Sequence, residues 1–206
     1  MTFWFPMDTS TGGGSQTKKL WVQGHYNHVR SPRDSTNQVL MTDSRYALFA
    51  YYIKSLGVYH CPSDRTTLRV GSLKLPKLRS YSMNWYMGYL NGGFVEPPNE
   101  YRFFRKTHDL QAGSPAKLFV FTDVHPDSIC WPLIGVAATD TFFMFPASYH
   151  NRAAVLAFAD GHAEHKKWRD GRTYLTKNID WHQHNFSAPR SVDLAWLREH
   201  ASVTKR

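Results

Sequence analysis

Histidines and carboxylates collect in two stretches of this 206-residue chain, and their types and spacing are those of a metal centre or of acid–base chemistry. Asp123, His125 and Asp127 stand in the first; His150, Asp160, His162, Glu164 and His165 stand in the second. Imidazoles suit zinc or another transition ion, whereas aspartate oxygens with backbone carbonyls suit calcium. On a strand the side-chain period of two puts Asp123 and His125 on one face and sends His162 and His165 to opposite faces. The candidate ligands are therefore Asp160, His150, His162 and Asp123. If the ion activates water, the catalytic candidates are His150, Asp123, His125 and Glu164. A structural reading stands beside both. Asp160 is a favoured residue before a turn glycine, and His150 can tie its loop by a hydrogen bond.

Other chemistries have less to stand on. There is no G-x-S-x-G elbow for a serine nucleophile and no glycine-rich phosphate loop after a strand. Ser148 lies two residues before His150 and would share its face on a strand, a spacing common by chance. Cys61 follows His60, but neighbours on an extended chain point apart, so Cys61 reads as a packed thiol. With Cys61 and Cys130 the only cysteines, a four-cysteine zinc site and a disulfide scaffold are both excluded; two buried free thiols are expected, the alternative being one bridge between them in an oxidising compartment. The net charge of +9 is scattered from Lys18 to Arg206 and accompanies no nucleic-acid motif, so it reads as a solvated basic surface. Aromatics make up 15% of the chain. Most should fill a core, although Trp85, Tyr86, Tyr89, Trp131, Trp168, Trp181 and Trp196 are also the kind of residue that stacks on polysaccharide.

The elements that must position these groups can be read from pattern. AAVLAFA at 153–159 and HAEHKKW at 162–168 flank Asp160-Gly161, which predicts a hairpin with a two-residue turn of positive φ. KLFVFTDVHPDS is apolar on both faces and bounded by Pro115 and Pro126, the mark of a strand in the middle of a sheet. Phe49, Tyr52, Ile53 and Leu56 recur at helical spacing before Gly57 and predict a helix at 44–56. SVDLAWLREH predicts a terminal helix capped by Ser191, with Leu194 and Leu197 inward. Residues 94–116 read as a loop with a helical turn near Tyr101 to Lys106, and TGGGSQT at 11–17 as a flexible loop. The expected organisation is a loop-rich segment at 1–41, one domain at 42–200 and a tail at 201–206. No apolar stretch of membrane-spanning length occurs, and the first thirty residues lack the pattern of an export signal.

Four of these segments carry a resemblance. His150 is separated by nine residues from Asp160-Gly161, and GVYHCPSDR at 57–65, RSYSMNWYMG at 79–88, and FTDVHPDSI at 121–129 with FPASYHN at 145–151 accompany it. Together they resemble the prepilin-type H-x9-DG proteins, relatives of type II secretion and type IV pilin-like pseudopilins, over residues 45–173. The resemblance implies an α+β fold in which a small antiparallel β-sheet packs against a helix, with long loops. It further implies an extracytoplasmic structural subunit whose partners are other pseudopilins or secretion-system components. Related pseudopilins bind calcium in a C-terminal loop, and by that analogy Asp123 or Asp160 would supply oxygens. The sequence opens at MTFWFPMD without the family's cleavage site and long apolar helix. The alternative expectation is a metal-dependent hydrolase of esters, lactones or glycans built on the same scaffold, with zinc or another divalent ion.

Overall fold

The computed structural model describes residues 20–24, 33–88, 100–174 and 184–205; the expected loop at 11–17 lies outside them. The fold is α+β. β1 (Thr67–Val70) and β2 (Leu73–Pro76) form a separate two-stranded hairpin. β3 (Tyr81–Asn84), β4 (Phe119–Asp123), β5 (Leu133–Ile134), β7 (Ala153–Phe158) and β8 (Ala163–Lys167) make the main sheet in the order β5-β3-β4-β7-β8. Only the β3–β5 pair is parallel. β6 (Thr141–Phe142) pairs with β9 (Phe186–Ser187). The helices are short: α1 (Val39–Thr42), α2 (Gly171–Tyr174) and α3 (Val192–Ala201), with 3-10 turns between.

β4 sits at the centre of the sheet, as its unbroken apolar run predicts, and Phe119 is fully buried. One apolar cluster runs from Trp21 and Met41 through Met83, Phe119 and Leu156 to Leu194 and Ala201. α3 supplies Leu194 and Leu197, and Ser191 Oγ accepts the Leu194 N–H at 3.4 Å as the expected N-cap. Asp193 extends that cap outward. Its buried carboxylate accepts the N–H groups of Arg169 and Asp170 at 2.8–3.0 Å, fastening the end of β8 to the start of α3. Inside the same layer, Asn84 Nδ2 donates to the carbonyls of Phe119 (2.9 Å) and Ala201 (2.7 Å), joining β3, β4 and α3. Asn84→Ala strands both carbonyls and should cost about 2–3 kcal/mol in urea unfolding. A loss under about 0.5 kcal/mol would show that water replaces the amide.

Three expectations need correction. The helix at 44–56 does not form. Leu48 N–H donates to Leu20 O (2.7 Å) and Phe49 N–H to Trp21 O (3.2 Å), while Ala47 bridges Leu20. These donors serve an incoming segment, only a 3-10 turn at Phe49–Tyr51 remains, and Tyr52 is 71% exposed. The aromatic residues Tyr46, Phe49, Tyr51 and Tyr52 and the β-branched Ile53 are weak helix formers and offer little resistance. The helical turn expected near Tyr101 lies later, at Thr107–Ala112, because Tyr101 bridges Thr204 and Phe104 bridges Met87. The β7–β8 hairpin forms as predicted, but its turn is wider. Gly161 N–H donates to Phe158 O (3.0 Å) and Phe158 N–H to His162 O (2.8 Å). Gly161, at φ +97°, carries the positive φ of the turn, and Asp160 does not share it. That is a turn followed by a left-handed glycine bulge.

Candidate metal centre

Each predicted site residue has a definite place. Asp160 and His162 remain at the exposed hairpin tip, where His162 Nδ1 lies 2.6 Å from Asp160 Oδ1 and the imidazole stacks flat on Phe158 at 4.4 Å. Hydrogen bonds from His162 hold the Asp160 carboxyl below its ordinary range. Glu164 is exposed on β8, the edge strand. His125 lies beyond the end of β4, so the period of two that would align it with Asp123 has stopped. Its N–H donates to Phe145 O, its Nδ1 accepts from Asp127 N–H, and burial pulls its pKa down to about 4. Asp123 and His150 do meet, at the opposite end of β7 from the turn.

They meet with a third residue. Cys61 Sγ lies 3.3 Å from His150 Nε2, and Asp123 Oδ2 lies 2.9 Å from the same nitrogen. One ligand atom from each of the three falls within 4.8 Å of the others. Asp123 is 0% exposed, Cys61 3%, and the His150 side chain 17%. Cys61 and Cys130 are both free and buried, as expected.

Local structure explains the convergence. Asp123 ends β4, and its Oδ1 accepts the Val155 N–H at 3.0 Å, taking the place of a backbone carbonyl in the ladder to β7. That leaves Oδ2 turned toward His150. His150 stands just before Asn151 (φ 56°) and Arg152 (φ 63°), two left-handed residues that fold the chain back into β7. Cys61 opens the turn CPSD, closed by Asp64 N–H to Cys61 O at 2.9 Å. Ser80 holds that turn against β3: its Oγ accepts the Cys61 N–H and donates to Asp64 Oδ2 at 2.8 Å. Around the cluster, burial pushes the Tyr81 phenol up, with the neighbouring Cys61 thiol adding to the effect. The Tyr149 hydroxyl is buried without a hydrogen-bond partner. The His165 ring stands 5.4 Å from that of His150.

Electrostatics make the cluster incomplete. Asp123 Oδ2 is buried and makes no hydrogen bond despite its closeness to His150. Burial pushes the Asp123 carboxyl up to about 7, and the neighbouring Asp64 charge pushes the same way. A catalytic Cys-His-Asp triad would set the thiol and the carboxylate at opposite imidazole nitrogens, the acid orienting the ring through its second N–H. Here both face Nε2, which carries one proton or one lone pair and cannot serve both. Three donors aimed at one point, one of them an orphaned buried carboxylate, suit a cation. Zinc bonds of about 2.0–2.3 Å in tetrahedral array place ligand atoms about 3.3–3.8 Å apart; the 3.3 Å Cys61–His150 contact meets that range, and the 2.9 Å Asp123–His150 contact would open slightly on binding.

No family model, curated protein or solved structure matches the chain. The site therefore rests on its own geometry.

Among the described residues, no helix is long and apolar enough to cross a membrane. From sequence Cys61 reads as a packed thiol rather than a ligand, because the histidine it meets is 89 positions away. The available signal was that CPSD accompanies the other motif segments.

Protonation of Asp123 has a measurable sign. A carboxyl raised in the folded state keeps a proton that the unfolded chain has lost, so in metal-free protein its contribution to stability falls as pH rises from about 4 to 7. Asp123→Asn removes that loss. In chelator-treated protein, the stability of Asp123→Asn relative to wild type should rise by about 2–4 kcal/mol across this window. His125 acts in the opposite direction between its two pKa values, but it is present in both proteins and cancels from the difference. Parallel pH curves would show that Asp123 ionises as it does in water.

Proposed function

We infer that this chain is a pseudopilin-like structural domain whose globular part is locked by a transition-metal ion of the zinc class, held by Cys61, Asp123 and His150. One observation carries the reading: the three motif segments behind the family resemblance, CPSD, FTDVHPD and the H-x9-DG run, each contribute one donor to a single point. A fourth segment, RSYSMN, supports them through Ser80, which anchors the CPSD turn. Thiolate and imidazole favour zinc over the calcium that analogy with other pseudopilins suggests, because calcium takes hard oxygen ligands. Near-complete burial of Cys61 and Asp123 favours a structural ion. When bound, the metal cross-links the CPSD turn, the central strand and the loop entering β7.

Metal analysis of the purified full chain tests the centre: about one zinc per chain is expected, lost in Cys61→Ser and in His150→Ala. Fusion to an apolar pilin helix tests the subunit role, with entry into membrane-anchored fibres alongside cognate pilins as the expected result. Failure of the fusion to assemble would remove the subunit role and leave the metal centre standing.

A second reading is favoured by the ligand count. Three protein donors among the described residues, with a fourth position left over, is the pattern of catalytic zinc, and His150 has an exposed edge. Hydrolysis of an ester, lactone or glycan that disappears with chelator and with His150→Ala would establish it.

A further inference from the structure

The β1–β2 hairpin stands apart from the sheets that build the core, pairing with no other strand among the described residues. An isolated two-stranded hairpin is marginal in water. Its register makes matters worse, since Arg69 lies directly opposite Lys74, and like charges so placed repel. Both are exposed, and neither has an ion pair or hydrogen bond among the described residues. No acidic residue occurs anywhere from Arg65 to Arg79. The other face of the hairpin is apolar. Leu68 pairs with Leu75 at its buried end, and Val70 pairs with Leu73 beside the turn, where Gly71 takes φ +63°. Leu73 is 60% exposed, with nothing of the described chain over it.

The tip therefore combines an uncovered Leu73, with the half-buried Val70 beside it, and cations immediately behind them. Arg69 and Lys74 stand one residue, about 3.3 Å of strand, back from Val70 and Leu73. That is the order of chemistry met on entering an anionic bilayer: phosphates at the depth of the cations, acyl chain at the depth of the leucine. An acidic protein surface would answer the charges but leave Leu73 in water. The base is held rigid enough to present the tip, because Thr66 bonds Asp64 through both N–H and Oγ1, and Lys77 is buried with Nζ on the Pro126 carbonyl.

We propose that the β1–β2 hairpin docks this protein on anionic phospholipid, inserting Val70 and Leu73 at the interface while Arg69 and Lys74 bind headgroup phosphates. The proposal is independent of the metal centre. It is tested by sedimentation of the full chain with equimolar phosphatidylcholine–phosphatidylglycerol vesicles, and with phosphatidylcholine alone as the neutral control. The wild type should partition to the anionic vesicles only. Each basic residue lost near such a surface weakens partitioning about five-fold, so Arg69→Ser with Lys74→Ser should lower it about 25-fold. Leu73→Ser should lower it about ten-fold at unchanged charge. Leu73→Trp should bind, and its added indole emission should shift to the blue on anionic vesicles. All are surface changes that leave the core intact, which circular dichroism verifies. Unchanged partitioning in the double variant, no blue shift, or equal binding to soluble polyglutamate with no dependence on Leu73 would overturn the proposal, the last in favour of an acidic protein partner.

Discussion

Chelator-treated protein should melt about 8–16 °C below zinc-loaded protein in differential scanning calorimetry. An ion present at about a thousand times its dissociation constant stabilises the folded state by about 4 kcal/mol. In a chain of this size each kcal/mol moves the midpoint by about 2–4 °C. The effect depends on all three donors, so Cys61→Ser should abolish the response to zinc while leaving the metal-free midpoint within a few degrees of wild type. Asp123→Asn should also lose the response, because an amide does not replace the carboxylate at the orphaned Oδ2 position. Calcium should produce little shift in any of them. A rise on zinc addition that persists in Cys61→Ser would place the ion elsewhere, with the exposed Asp160–His162 pair the first position to examine.

Trp168→Ala should be the most damaging single core substitution, at about 3–5 kcal/mol by urea unfolding. The indole is 2% exposed, and its Nε1 donates to Ala147 O at 2.8 Å. Its backbone N–H meets Arg152 O at 2.9 Å, so one residue at the end of β8 grips both sides of the loop that carries His150. Trp168→Phe separates the two roles. Most of the ring volume is kept and the hydrogen bond is lost, so the stability cost should fall to about 1–2 kcal/mol. Zinc affinity should still weaken, because Ala147 O is released three residues before the ligand. Equal zinc affinity in Trp168→Phe and wild type would show that the left-handed Asn151 and Arg152 fix the loop without help.

What was legible in the sequence was what local physics decides. Asp160-Gly161 between two strand patterns marked the hairpin, Ser191 before an amphipathic run marked α3, and the unbroken run around Phe119 marked the central strand. The run from Phe49 to Leu56 was misleading, because the N–H groups at its start, those of Leu48 and Phe49, are claimed by Leu20 and Trp21, a partnership that no window of neighbouring residues reveals. The same holds for the site. Asp123 and His150 stood out by type and by their place at strand ends, whereas Cys61 acquires its meaning only through the β3–β4–β7 neighbourhood that carries it to them. Asp160 and His162 were attractive for their closeness in sequence, and the hairpin puts them at the far end of β7.

The separation of 89 positions between Cys61 and His150 also sets an order of events. Loops of that length close late in folding, after the local hairpin and the terminal helix, since their entropy must be offset by contacts already made. An ion needing both residues can be captured only by a chain whose central sheet has formed, so zinc should leave the refolding rate nearly unchanged and slow unfolding instead. The centre would then act as a latch on a finished fold, setting how long the domain survives rather than how fast it is made.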